Sequence, residues 1–444
     1  MKALEQNYFQ QFGEKVFNSL MHDEVLSINL SAEDTLFSRY SRARVRQVTE
    51  VEQGYVSLNL IKGKKSINLN LKYTGIPEDD FHFAYQRIKE AREILRVMVD
   101  DPYLVIPENN GTTKSEAVHG ELSGEEMMDL VSDYAHHVDL AGLLTSGTVV
   151  RASINSKGQN HWFKTQSFSL DYSLYNPRQK AVKALYAGTT FDASALKHNI
   201  EASIQKLELL NRDVKKMERG AYRIYLAPSA IAELVSTLSW GGVSMSAHQR
   251  GHGSLKNLWK GESKLSTKFS LSENFEINLS PRFNEKGEVA PNKLPLIEKG
   301  EFRNFLTSTR TSNEFKVASN FATDWESLRS AEVASGNLEE KDILKTIGEG
   351  LYISDLHYLN WSDRETARIT GMTRYACFYV KDGELVSPIE DLRFDESYYH
   401  IFGEGLVDLT KENFIIPHTG SYFEREIGGM KVPGAVIADF KFTL

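Results

Sequence analysis

The chain has 444 residues, 41% apolar and 25% charged, with a formal net charge of −8 and a single cysteine, Cys377. That length suggests two or three domains, and the composition is that of a soluble globular protein whose core needs no disulfide or structural metal. One thiol excludes an intramolecular disulfide and a multi-cysteine metal cluster and fits a reducing compartment, while the acidic balance argues against general nucleic-acid affinity, which needs clustered Lys and Arg. The opening MKALEQNYFQQFGEKVF carries charge and Gln throughout, without the apolar core of a signal peptide. No stretch reaches the ~20 apolar residues that span a bilayer, so a cytoplasmic protein with no membrane partner is expected.

Residues 1–22 read as helix. Val25-Leu26-Ser27-Ile28-Asn29-Leu30 then alternates with period two, as do Tyr55–Leu60 and Ile67–Leu71 around the turn Lys62-Gly63-Lys64-Lys65. Val56, Leu58 and Leu60 can share a face with Ile67, Leu69 and Leu71, giving an antiparallel meander with one apolar side. Phe81, Ala84, Ile88, Ala91, Leu95 and Met98 form a helical stripe suited to cover it. Residues 100–120, with Asp101-Pro102, Pro107 and Asn109-Asn110-Gly111, read as a loop or linker and a sub-boundary.

Helix is expected over 122–140, opened by Ser123 with Glu125 and Glu126, and strand over 147–154 and 160–174. A long helix is predicted from Ser194 to Met217 on the stripe Leu196, Ile200, Ile204, Leu207 and Val214, closed by Gly220. Tyr222–Leu226 reads as strand, and Pro228-Ser229 opens a helix to Leu238. From 255 onward short apolar runs alternate with Gly, Asn, Asp and Pro turns. The expected architecture is α+β: residues 1–219 form an antiparallel sheet covered by helices, and 220–444 a largely β domain.

Chemistry-bearing candidates are few. SAHQRGHG at 246–253 holds His248 and His252 four apart, the spacing of two metal ligands in H-E-x-x-H, with Gln249 where the general base belongs. Gln cannot accept a proton from bound water, no third ligand stands nearby at a familiar spacing, and Gly251 and Gly253 weaken a helix. Two histidines in a Gly-rich turn is the favoured reading over a zinc site. Arg42, Arg44 and Arg46 alternate, which on a strand would put three guanidiniums on one face able to bind phosphate or acidic peptide groups. Glu50 and Glu52 continue that face, so local charge compensation is the favoured alternative. Adjacent His136 and His137 cannot face one another on a helix. Cys377, in an aromatic run, reads as a buried inert thiol. No Walker loop, dinucleotide fingerprint or Gly-x-Ser-x-Gly elbow occurs.

Several phrases together resemble the TldD/PmbA (TldE) family, also labelled modulators of DNA gyrase. TLFSRYSRARVRQVTEVEQGYVSLNLIKGKKSINLNL is similar to its opening sheet, and SWGGVSMSAHQRGHGSL to the start of its C-terminal domain. PRFNEKGEVAPNKLPLIEKGEFRNFLTSTRTS, with Ile297–Phe302, then Gly350–Ile353 and Val380–Leu385, extend the resemblance over nearly the whole chain. In that family the TldD type carries H-E-x-x-x-H and acts as a metallopeptidase. The PmbA/TldE type lacks the motif and pairs with it.

Here Gln249 follows His248, and Gly253 stands where the second ligand would fall, so the resemblance implies the PmbA/TldE type. It implies no catalytic residue in this chain, zinc in a TldD-type partner, unfolded peptide as substrate, and a homodimer or heterodimer. Two alternatives remain at this level: a metallopeptidase in its own right using His248 and His252, and a regulator of DNA gyrase or its peptide inhibitors.

Overall fold

Alternating apolar and polar residues build a seven-stranded sheet in the first half of the chain. In the computed structural model, which describes residues 2–118 and 123–443, its strands are β1 (Glu24–Ser41), β2 (Arg44–Lys62), β3 (Lys65–Lys72), β4 (Thr112–Ala117), β5 (Asp139–Asn155), β6 (Asn160–Tyr175) and β7 (Ala181–Gly188). They run in the order β3-β2-β1-β5-β6-β4, and β7 also pairs with β6. Only β4 runs parallel to its neighbour. The hairpin register is the one the alternation implies: Val56 opposite Leu71, Leu58 opposite Leu69, Leu60 opposite Ile67.

Even-numbered residues of β1, β2 and β5 make the apolar face. Leu26, Ile28, Leu30, Val56, Leu58, Leu60, Val150, Ala152 and Ile154 are all buried. Helices α1 (Gln6–Phe17) and α2 (Pro77–Val97) cover them through Phe9, Phe12 and Val16, and through Ala84, Ile88, Ala91 and Leu95. Farther along the same face, α3 (Gly124–Ala135) and α4 (Ala193–Leu209) pack on Tyr40, Leu140, Leu144, Phe168, Leu170 and Tyr172. Ser123 caps α3 by accepting from Glu126 N at 3.1 Å, fixing its start where the sequence indicates.

Three expectations are corrected. Residues 112–117 are a strand, β4, inside the expected linker; TTKSEA alternates without an apolar face, because only Ala117 of this edge strand is buried. The helix expected over 122–140 is α3, residue 122 lying outside the described residues, and the chain is already strand at Asp139. The helix expected to reach Met217 stops at Leu209, leaving Val214 exposed, and Gly220 opens a strand. Beyond Leu210 the backbone finds partners in the C-terminal half: Lys215 N donates to Pro388 O at 2.8 Å and Arg212 Nη1 to Val386 O at 2.8 Å. Those bonds replace helix propagation.

The second half is largely β. Strand β8 (Gly220–Leu226) leads into α5 (Pro228–Thr237), α6 (Met245–Gln249) and α7 (Lys256–Trp259). Then come β9 (Leu271–Asn274), β10 (Lys293–Glu298), β11 (Glu301–Phe302), α8 (Thr309–Phe315), β12 (Ser330–Val333), α9 (Ile343–Ile347) and β13 (Gly350–Ile353). Next are β14 (Asp355–Asp363), β15 (Arg368–Arg374), β16 (Phe378–Lys381), β17 (Glu384–Pro388), β18 (Arg393–Ser397), β19 (Leu406–Pro417) and β20 (Gly429–Phe442). β20 is the hub, bonded to β8, β12, β18 and β19. Ala230, Ile231, Leu234 and Val235 of α5 are fully buried against this sheet. The pattern is α+β throughout.

The odd-numbered face of the N-terminal sheet is polar, and arms of the second half close on it. Asn29, Ser153 and His161 form one cross-strand row. His161 is fully buried, with Thr113 Oγ1 at 2.9 Å on one ring nitrogen, Gly287 O at 2.9 Å on the other, and its ring stacked on Phe283. Asn29 Nδ2 donates to Glu285 O at 2.8 Å. Burial, with Arg282 nearby, holds the His161 imidazole below its ordinary value of 6.5, against the opposing hydrogen bond to Gly287. A ring kept neutral by the fold stabilises fully above the unfolded value, and that contribution declines as pH falls below it. Urea midpoints should therefore drop between about pH 7.5 and about pH 5.5, and drop less in His161→Asn, although the variant is weaker at the higher pH. Equal slopes for the two proteins would show that His161 does not titrate this junction.

Candidate functional site

The segment with the paired histidines begins at the turn after α5, where Gly241 adopts φ +100°. Ser244 caps α6, its hydroxyl accepting from Ala247 N at 3.1 Å. The helix is only Met245–Gln249: Arg250 ends it and Gly251 turns left-handed at φ +80°. His252 lies outside the helix, exposed, its N–H donating to Ala247 O at 2.8 Å. His248 and His252 therefore do not share a helical face.

His248 is a packing residue. Its ring stacks on Phe305 at 4.7 Å and meets the edge of Trp259 at 4.5 Å. Burial, then Lys256 and Lys260, hold its imidazole below the ordinary value. Gly253 is buried against it, and a Cβ there would stand 3.1 Å from His248 Cα. A side chain at this position would require His248 to shift by a few tenths of an ångström. Among the described residues, no three His, Cys, Asp or Glu side chains are grouped to hold a metal. The donors present in this segment do not fit a zinc centre, which takes three protein ligands at a catalytic site.

What holds the segment is Glu326, which is fully buried. One carboxylate oxygen accepts from Ser244 Oγ at 2.6 Å and Ser246 N at 2.7 Å; the other accepts from Ser308 N at 2.9 Å, at the start of α8. One side chain thus ties two helix N-termini together, the end at which backbone N–H groups lack partners and favour an anion. Arg250 adds a two-pronged bond to Glu314 of α8, at 2.9 and 2.8 Å. Glu326→Ala would orphan two buried donors, Ser244 Oγ and Ser308 N, and the half-buried Ser246 N, at ~1–3 kcal/mol for each buried one, so a loss of at least ~2 kcal/mol is expected. Amide exchange over residues 244–253 should rise with it, whereas unchanged protection would show that the segment is held elsewhere.

A second constellation was not foreseen from sequence. The loop 418–428, between β19 and β20, reaches over the polar face of the N-terminal sheet. Glu424 accepts from Ser31 Oγ and from Arg151 Nη2 at 3.2 Å. Arg425, also buried, donates to Ser167 Oγ at 2.7 Å and Gly147 O at 3.3 Å, and its N–H faces both Glu33 oxygens at 3.3 Å. Burial pulls the Arg425 guanidinium down to about 10, opposed by Glu33. Beside this network lies a cleft of about 350 Å³ between the sheet and the loop tip. Phe37, Val51 and Leu143 form its floor, Arg39 and Gln47 its far rim, and Tyr422 and Phe423 its wall. The readable signal was the odd-position run Asn29, Ser31, Glu33, Thr35, which shows a polar second face but not what covers it.

Arg42, Arg44 and Arg46 are not aligned on one strand face. Arg42 sits in the β1–β2 turn with Ala43, both at φ +54°. The register slips between Arg39 and Tyr40, so Arg46 is the unpaired residue of a bulge and the alternation toward Glu50 and Glu52 is broken. All three arginines are exposed. His136 and His137 are exposed at the end of α3. Cys377 is buried and its thiol is pushed up to about 12 by burial, which removes it as a nucleophile.

The fold has solved counterparts. TldE from Thermococcus kodakarensis superposes with a TM-score of 0.75 at 16% identity, over 99% of each chain. A proposed modulator of DNA gyrase from Thermotoga maritima matches at 0.75 and 14%, over 98% of this chain and 100% of the other. One from Bacteroides thetaiotaomicron matches at 0.74 and 13%, over 98% of each. These identities carry the fold alone. No curated protein sequence matches the chain. Residues 219–444 match the family model of the PmbA/TldA metallopeptidase C-terminal domain, and since that is half of the chain, the protein belongs to the PmbA/TldD family.

Proposed function

We propose that this chain is a non-catalytic, PmbA/TldE-type subunit of a TldD/TldE-like metallopeptidase complex that processes or degrades unfolded peptides. The observation that carries the reading is the α6 segment: His248 is stacked between Phe305 and Trp259, His252 lies past the helix end, and Gly253 leaves no side chain where a ligand would be needed. In this reading zinc and the general base reside in a TldD-type partner, in the cytoplasm, and this chain contributes structure and peptide contacts. The amide Gln249 is exposed at the end of α6 and can hydrogen-bond a peptide group but not take a proton from water.

The test is reconstitution. The purified chain should bind no stoichiometric zinc and should cleave unstructured peptides on the order of a hundredfold or more slowly than its mixture with a TldD-type partner. Cleavage by the mixture should be abolished by a chelator. His248→Ala and His252→Ala in this chain should leave that cleavage within about twofold, since neither ligates the metal. Chelator-sensitive cleavage by the chain alone, lost in those variants, would overturn the proposal and establish a peptidase in its own right.

A further inference from the structure

The cleft under the loop tip has three properties that together define a ligand. First, the wall is rigidly presented. Tyr422 and Phe423 are 90% and 82% exposed and meet edge to face at 4.7 Å, yet the next two residues, Glu424 and Arg425, are tied into the buried ion network. Phe423 O also accepts from Gln53 Nε2 at 3.0 Å. Two large apolar rings held in water by an anchored backbone are a binding surface formed in advance of its ligand.

Second, the cleft presents a cation. Glu424 is paired with Arg151, and Glu33 accepts from the backbone N–H of Arg425, whose guanidinium charge it favours electrostatically. Arg39 remains on the rim, exposed, with no ion pair to another described residue. Arg39 is the one cation among the residues lining the cleft, and its charge is available to a ligand.

Third, the spacing is that of an extended chain. Arg39 stands two residues from Phe37 along β1, opposite Gln47 as Phe37 is opposite Thr49. Same-face positions on a strand repeat every roughly 7 Å, which is also the distance between side chains i and i+2 of an extended peptide.

We infer that this cleft binds an extended polypeptide segment through an apolar side chain held between Tyr422, Phe423 and Phe37 and an acidic side chain two positions away held by Arg39. The inference rests on reading the chain as a peptide-handling subunit and gives that subunit a sequence preference, apolar-x-acidic, which the partner's metal centre need not supply. The floor residues Phe37, Val51 and Leu143 are half-buried, so an apolar side chain there displaces water from surface already partly dry.

Fluorescence anisotropy on the full chain tests it with three labelled unstructured peptides that differ at one position, carrying Leu-Ser-Glu, Leu-Ser-Gln or Leu-Ser-Lys. The Glu peptide should bind about fivefold more tightly than the Gln peptide, and the Lys peptide most weakly. Arg39→Gln should remove the Glu preference and leave the Gln peptide unchanged. The double variant Tyr422→Ser with Phe423→Ser should weaken all three about tenfold. These side chains are exposed, and an unchanged melting curve verifies that the variants fold. Equal binding of the Glu and Gln peptides by the unaltered chain, or unaltered binding by either variant, overturns the inference. A changed sedimentation coefficient with unchanged peptide binding in the double variant also overturns it, because the rings would then join subunits. Cleavage by the reconstituted complex separates the two readings: cleavage indifferent to both variants sinks this site alone, while the binding preference without cleavage beside any TldD-type partner sinks the subunit assignment alone.

Discussion

The architecture depends on two carboxylates and two guanidiniums meeting where the halves of the chain join. Glu33 and Arg151 come from adjacent strands of the N-terminal sheet, Glu424 and Arg425 from a loop of the second half. The buried charges among them would be costly without neighbours of opposite sign, and the second half supplies Arg151 with its ion-pair partner, Glu424. Removing Arg151 or Glu424 leaves the other unpaired at the seam, so the pair does more to specify how the halves meet than to add net stability. The same constraint fixes the loop tip and hence the cleft beside it. His161 and Asn29, farther along the polar face, repeat the arrangement with uncharged groups.

The α6 segment keeps a two-histidine spacing without placing the two rings on one helical face. In SAHQRGHG the residue types of a metal helix survive in part, but the helix ends after five residues and the first histidine is recruited into an aromatic stack. Its anchor is Glu326, far away in sequence, which binds the starts of two helices. The segment is therefore well ordered for reasons independent of metal. Gly253 packs closely on His248 and itself offers no donor atom.

Much of the N-terminal sheet was legible because one of its faces is apolar. Val56, Leu58 and Leu60 opposite Leu71, Leu69 and Ile67 follow from alternation alone, and the α2 stripe through Ala84, Ile88, Ala91 and Leu95 follows from helical spacing. What was illegible had no such contrast. β4 is an edge strand of polar residues, α4 ends where long-range backbone bonds take over, and the bulge at Arg46 leaves no mark in the sequence. In the α6 segment the glycines foreshadowed a short helix, whereas nothing local pointed to Glu326. The cleft was invisible for a simpler reason: its wall and floor lie nearly the whole chain apart, and no local pattern brings Phe37 to Tyr422.

The position of β20 has a bearing on how the protein comes to fold. It is the last strand of the described chain and the hub of the larger sheet, contacting β8, β12, β18 and β19. Until it is made, those four strands lack a shared neighbour, and the core around α5 cannot close. The N-terminal sheet, complete once β7 is made, can assemble during synthesis, but the larger sheet must wait for β20. A chain stopped between Gly188 and Gly429 would hold a finished first sheet beside an unfinished second one, with bare strand edges, which is a form prone to aggregate.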